Sequence, residues 1–190
     1  TGMGLAAQAK RDGIQILGVG EMGIGNTTTS SAVLCALSGE SVEAVTGRGG
    51  GLTDAAFGRK KQVIEQALAV NRPDADDPID VLCKVGGFDL CAMTGVFLGA
   101  AHARLPVVVD GFISIVAALC AARLCKNARG FFFGSHVSYE RGYKVAEQLL
   151  GLQPCLQLGM RLGEGSGCPL AFRVIEAACA VISTWLLYTS

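Results

Sequence analysis

The stretch Ile14-Gln15-Ile16-Leu17-Gly18-Val19-Gly20-Glu21-Met22-Gly23-Ile24-Gly25-Asn26-Thr27-Thr28-Thr29 decides the fold. A short apolar run leads into a loop punctuated by glycines, and a threonine-rich helix start follows. Glycines let the backbone turn tightly and approach a ligand, and the free N–H groups at a helix start attract phosphate. Asn26 and the threonines can cap that helix and donate to the same anion. A purely structural turn is the plainer alternative. Gly18-x-Gly20-x-x-Gly23 also matches the dinucleotide fingerprint, with Glu40 or Glu43 near the place of a ribose-binding acid. Glu21 inside the loop counts against that match, because a carboxylate there repels a pyrophosphate.

Further along the chain, three more apolar runs have strand length: Val81–Val85, Pro106–Val109 and Gly130–Phe133. Near-continuous apolar strands point to a parallel sheet covered on both faces. Helix-period segments lie between them: Thr27–Leu37, Asp54–Asn71, Phe88–Ala103, Ser114–Lys126, Tyr139–Leu150 and Leu170–Ile182. On Asp54–Asn71 the polar side carries Lys60, Lys61 and Glu65. Asn71–Asp80, with Pro73, Pro78 and four aspartates, reads as a surface loop. The alternation of strand, turn and helix predicts an α/β fold with right-handed crossovers.

The chain has 190 residues, enough for one domain of ordinary size. Sixteen basic residues balance sixteen acidic ones, which excludes a broad electrostatic footprint for nucleic acid. Half of the residues are hydrophobic, so a membrane must be considered. The most apolar stretch, Leu105–Cys125, is interrupted by Asp110, Gly111 and Arg123, and no run reaches the roughly 18–20 uninterrupted apolar residues of a spanning helix. Eight cysteines form no Cys-x-x-Cys pair, and most sit among Ala, Leu and Val. They read as buried, reduced thiols in a cytoplasmic protein. A zinc site is disfavoured because only His102 and His136 could join it. The chain opens on Thr1 and is expected to be a portion of a longer protein.

Three other motifs could carry chemistry. In Arg161-Leu162-Gly163-Glu164-Gly165-Ser166-Gly167, a carboxylate is flanked by glycines with no side chains to shield it. It suits a general base if partly buried, or an acid favourably placed on a helix dipole; the residues alone leave both open. Gly47-Arg48-Gly49-Gly50-Gly51, followed by Arg59, Lys60 and Lys61, could complete a phosphate site or be merely a solvated face. In Gly134-Ser135-His136-Val137-Ser138, a catalytic Ser–His pair is disfavoured because no Gly-x-Ser-x-Gly elbow surrounds either serine. Asp110, at a strand end, fits a site residue or a helix cap equally well.

Together these motifs resemble one family, the nicotinate-nucleotide–dimethylbenzimidazole phosphoribosyltransferases. The resemblance rests on Gly20–Thr28, Thr46–Gly49, Lys84–Asp89, Pro106–Phe112 and Arg161–Gly167, in the family's order over nearly the whole chain. It implies a three-layer α/β/α Rossmann-like parallel sheet, with residues 1–170 as the core. Residues 171–190 would contribute a C-terminal helix to a small helical domain. The implied assembly is a homodimer. The implied reaction moves phosphoribose from nicotinate mononucleotide to 5,6-dimethylbenzimidazole in building the cobalamin nucleotide loop, with no metal or redox cofactor. Glu164 matches the family's base, and Glu21 would assist at the sugar. Gly23, Gly25, Asn26 and Thr27 would hold phosphate and ribose, with Lys60 and Arg161 as countercharges. Gly20, Gly49, Leu162 and Gly163 are the remaining substrate-binding positions. Two departures stand out: the upstream half of the family sequence is missing, and the tail from about residue 184 does not match the family's closing helix. The alternatives are an NAD-binding oxidoreductase and a nucleotide-binding module without turnover.

Overall fold

The computed structural model describes residues 1–49, 51–160 and 162–185. A four-stranded sheet, β1 (Leu17–Val19), β2 (Val107–Val109), β3 (Phe132–His136) and β4 (Pro154–Leu156), is parallel throughout and runs in the order β1-β2-β3-β4. Register is set by Leu17 opposite Val107 and Val107 opposite Phe132. A sheet built in one direction with right-handed crossovers places its connecting helices on a single face. That face carries α2 (Thr27–Ser38), α6 (Phe88–His102), α7 (Gly111–Leu124) and α8 (Arg141–Leu150). The other face is left to α9 (Cys168–Trp185), which packs on all four strands.

β2 shows why this is a three-layer structure. Successive side chains on a strand point to opposite faces. Val107 and Val109 join the main core beneath the helices, whereas Val108 joins Cys168 and Ala171 under α9. All three valines are fully buried. The apolar stretch considered as a membrane span divides into β2 and α7, and α7 is buried along nearly its whole length in the middle of the helical layer. Among the described residues no helix is long and apolar enough to cross a membrane. Phe97 of α6 meets Phe132 of β3 edge to face, with ring centroids 5.0 Å apart. Phe97→Ala is expected to cost about 3–5 kcal/mol in a denaturant titration, since it removes a fully buried ring.

Several expectations need correction. Val81–Val85 is not a strand but the end of α5 (Pro78–Val85). Asp77 caps that helix by accepting from the Ile79 N–H at 2.9 Å, and Pro78 stands at its first position. Those start signals, with Gly86 at the C-cap, outweigh an apolar run too short to distinguish strand from helix. Ahead of β1 stands α1 (Gly2–Arg11), a helix with no counterpart in the expected elements, which lies against α6 through small residues. The short helix α3 (Val42–Val45) and β4 had no counterpart in the expected elements, and α4 (Asp54–Asn71) matches the expected helix. A 3-10 turn occupies 126–131, shifting β3 two residues later than expected. Only Cys35, Cys120 and Cys168 are buried, and burial pushes their thiols up to about 11, 12 and 12; the other five cysteines are exposed. α9 includes positions 184 and 185, and the tail beyond lies outside the described residues.

Candidate active site

At the C-terminal ends of β1 and β4, the Gly20–Asn26 loop meets the segment leading into α9. Here the two glutamates singled out by sequence come together. The Glu164 N–H donates to the Glu21 carbonyl at 3.0 Å. A side chain on Gly20 would run into the backbone of Gly165, and one on Gly163 would come within 2.8 Å of the Glu21 carbonyl oxygen. Glycine is therefore what lets the two loops touch. Gly20→Ala is expected to destabilise the chain by roughly 1–3 kcal/mol, read as a lower melting temperature, because neither backbone can yield without breaking that hydrogen bond.

Glu164 itself sits at φ 64°, in the left-handed region. For a residue with a Cβ this costs roughly 1–2 kcal/mol, so the surrounding contacts hold the turn in place. Its side chain is exposed, so the partial burial expected around this carboxylate is not found in the chain. Glu21 is half-buried, and its Oε2 accepts from the N–H of Gly23 at 2.6 Å. The Gly23 amide, expected to face a phosphate, is thus already engaged by the loop's own acid.

Beside these loops lies a cleft of about 490 Å³. Glu21, Gly23, Thr27, Gly49, Leu162 and Gly163 line it, so six of the expected residues share one cavity. Gly20, Gly25, Asn26, Lys60 and Glu164 do not line it, and Arg161 lies outside the described residues. Met22, Ile24, Met160 and Leu162 also line it; Ile24 and Leu162 are among the most exposed large apolar side chains.

Lys60 departs from its expected place on a solvated face. It is buried, and its Nζ donates to Thr27 Oγ1 at 2.9 Å and to the Gly47 carbonyl at 3.0 Å. Burial holds its pKa below the ordinary lysine value, partly offset by the nearby Glu140 carboxylate. Gly49 approaches the same corner, its would-be Cβ 3.2 Å from Thr27 Oγ1 and 3.8 Å from Lys60 Nζ. A buried ammonium, the N-terminus of α2 and a glycine loop converge there, which is the construction of an anion site. Asn26 is the N-cap of α2 but makes no side-chain cap bond. Its Nδ2 donates instead to Asp89 at 2.8 Å, and its buried Oδ1 has no protein partner among the described residues. Glu43, one of the two acids from which a dinucleotide reading would draw its ribose-binding residue, is held by Lys61 at 2.5 Å.

Sequence reasoning did not anticipate how Asp110, Ser135 and His136 combine. Asp110 Oδ1 accepts from Ser135 Oγ at 2.7 Å and from the Gly167 N–H at 3.1 Å, and lies 3.0 Å from His136 Nδ1. Asp110 precedes α7 yet makes no cap bond to it. The signal was present in an acid and a Ser-His pair at the ends of adjacent strands, but sequence does not show that β2 and β3 are neighbours. Ser135 is fully buried and shares Nδ1 of the ring with Asp110, an arrangement unlike a nucleophile with its base. Among the described residues no group of His, Cys, Asp and Glu is placed to hold a metal ion.

A family model described as phosphoribosyltransferase matches residues 1–187. The nicotinate-nucleotide–dimethylbenzimidazole phosphoribosyltransferase of Clostridium perfringens is 58% identical over 175 residues, covering 92% of this chain and 48% of that protein. The enzyme of the same name from Geotalea uraniireducens is 51% identical over 181 residues, covering 95% and 51% respectively. The crystal structure of CobT from Thermus thermophilus superposes with a TM-score of 0.90 at 39% identity, covering 96% of this chain and 54% of that one. The chain spans about half the length of the curated relatives it matches. With motifs, fold and comparisons in agreement, the chain belongs to the nicotinate-nucleotide–dimethylbenzimidazole phosphoribosyltransferase family.

Proposed function

We propose that this chain carries the phosphoribosyl-transfer site of a nicotinate-nucleotide–dimethylbenzimidazole phosphoribosyltransferase. The observation that carries the reading is the joining of Glu21 and Glu164 by the hydrogen bond between their loops, beside the Lys60–Thr27 anion corner. In the proposed reaction the phosphate of nicotinate mononucleotide rests on the α2 N-terminus, Lys60 and Gly49. Arg161, Gly25 and the unpartnered Oδ1 of Asn26 complete the phosphate and ribose contacts. The apolar lining of Met22, Ile24 and Leu162 suits a flat aromatic base.

One ring nitrogen of 5,6-dimethylbenzimidazole attacks C1′ of the ribose from the face opposite nicotinate. The old C–N bond breaks with its electron pair going to nicotinate, and the proton on the other ring nitrogen passes to Glu164. Inversion takes the sugar from β to α. Glu21 stabilises the positive charge that develops on the ribose as the leaving bond stretches. Cobalamin nucleotide-loop assembly is the setting, and a cytoplasmic homodimer is the assembly we infer; the unpaired cysteines suit a reducing compartment. Residues 171–190 are assigned to the helical lobe, a division supported by the exposed outer half of α9.

An NAD-binding oxidoreductase fits less well, because Glu21 closes its own glycine loop through the Gly23 amide. Incubation with both substrates, followed by chromatography, separates the readings. The proposal expects nicotinate and α-ribazole 5′-phosphate in equal amounts. Nucleotide binding with no product would reduce the chain to a binding module, and NAD binding without nicotinate mononucleotide binding would favour the oxidoreductase.

A further inference from the structure

We propose that Asp110 is the positioning residue for Glu164, acting through the Gly167 amide; this rests on Glu164 being the base. Asp110 directly follows β2, Ser135 and His136 belong to β3, and Gly167 directly precedes α9. One carboxylate oxygen therefore ties the two central strands to the segment carrying Glu164. Asp110, Ser135 and His136 are all at most 2% exposed, so this tether is made away from competing water. A carboxylate at the start of α9 is also favourably placed on the helix dipole.

Geometry leaves the loop little choice. A side chain on Gly167 would collide with Asp110 Oδ1, His136 Nδ1 and Ser135 Oγ, so glycine is needed for the amide to reach the carboxylate. Three residues upstream, Glu164 sits in a left-handed conformation that it would not hold unaided. Between the two, the Ser166 N–H donates to the Gly163 carbonyl at 3.1 Å, closing the turn on itself. The turn is thus pinned at both ends, by Glu21 on one side and by Asp110 on the other. Releasing the Asp110 end lets the strained turn relax and moves the Glu164 carboxylate away from its working place. Ser135 serves by donating to Asp110 and fixing its orientation, and His136, with Nδ1 3.1 Å from the Ser135 hydroxyl, packs against the pair; neither reacts.

The test is a double-mutant cycle in the chain, with nicotinate mononucleotide and 5,6-dimethylbenzimidazole as substrates. Asp110→Ala is expected to lower kcat about tenfold or more with little change in KM for the nucleotide. In a Glu164→Gln background the same change is expected to add less than about twofold, because the residue it positions has already lost its function. Asp110→Asn keeps an oxygen for the Ser135 and Gly167 donors and is expected to recover most of kcat. In hydrogen exchange, the Gly167 amide is expected to exchange about tenfold faster in Asp110→Ala. The proposal is overturned if the losses multiply, if the defect appears in nucleotide KM, or if Gly167 exchange is unchanged. If Glu164→Gln retains turnover, or wild type gives no product, the base assignment fails separately, and Gly167 exchange still decides whether the tether exists.

Discussion

Glu164→Gln is expected to slow product formation by about 10²–10⁴-fold while leaving affinity for nicotinate mononucleotide within about threefold. The glutamine is nearly isosteric, so the left-handed turn and its hydrogen bond to the Glu21 carbonyl remain. Only the capacity to take a proton is lost. In the proposed reaction that proton must leave the benzimidazole nitrogen as the other nitrogen bonds to C1′, so the defect falls on kcat. Steady-state rates set beside calorimetric titration with the nucleotide alone make the separation. Turnover at the wild-type rate would remove Glu164 from the chemistry.

Lys60→Met is expected to act on binding instead. The buried ammonium donates to Thr27 at the α2 N-terminus, and a charge-assisted hydrogen bond to phosphate contributes about 1.5–3 kcal/mol. Affinity for the mononucleotide should therefore fall roughly 10- to 100-fold. Stability should change little, because methionine fills a similar volume and removes the cost of burying a charge while giving up bonds to Thr27 and Gly47. The pH dependence follows from the direction of the shift. Burial lowers the Lys60 pKa, so this lysine loses its proton at a lower pH than a solvated one. In the interval between the lowered and ordinary values the folded chain holds fewer protons than the unfolded one, so stability rises with pH there. Phosphate affinity has the opposite sign. It declines as pH climbs through the lowered Lys60 pKa, and this part of its pH dependence disappears in Lys60→Met.

The fold was largely legible because its signals are local. A strand, a glycine loop and a helix start stand in sequence at 14–29, and the β-branched run 107–109 proved to be one of the two central strands. The failure at Val81–Val85 is equally local: five residues, four of them apolar, have no period long enough to read, and the evidence for helix lay outside them, in Asp77, Pro78 and Gly86. The candidate site was legible in its residues but not in its connections. Glu21 and Glu164 could each be picked out by the glycines around them, yet nothing in the sequence shows that one carbonyl accepts from the other amide. Lys60 looked like one of several solvated cations on α4, and only the packing of α2 and the Gly47–Gly49 segment reveals that it is buried. Asp110 could be a cap or a site residue, and which it is depends on strand order.

The measurement that addresses the central claim most directly is a proton NMR time course of the chain with nicotinate mononucleotide and 5,6-dimethylbenzimidazole. It reads leaving group, product and anomeric configuration together. The account predicts that free nicotinate and an α-configured ribosyl benzimidazole phosphate appear at equal rates. A β-configured product would contradict single displacement by the attacking base, and nicotinate release unchanged by added benzimidazole would contradict transfer itself.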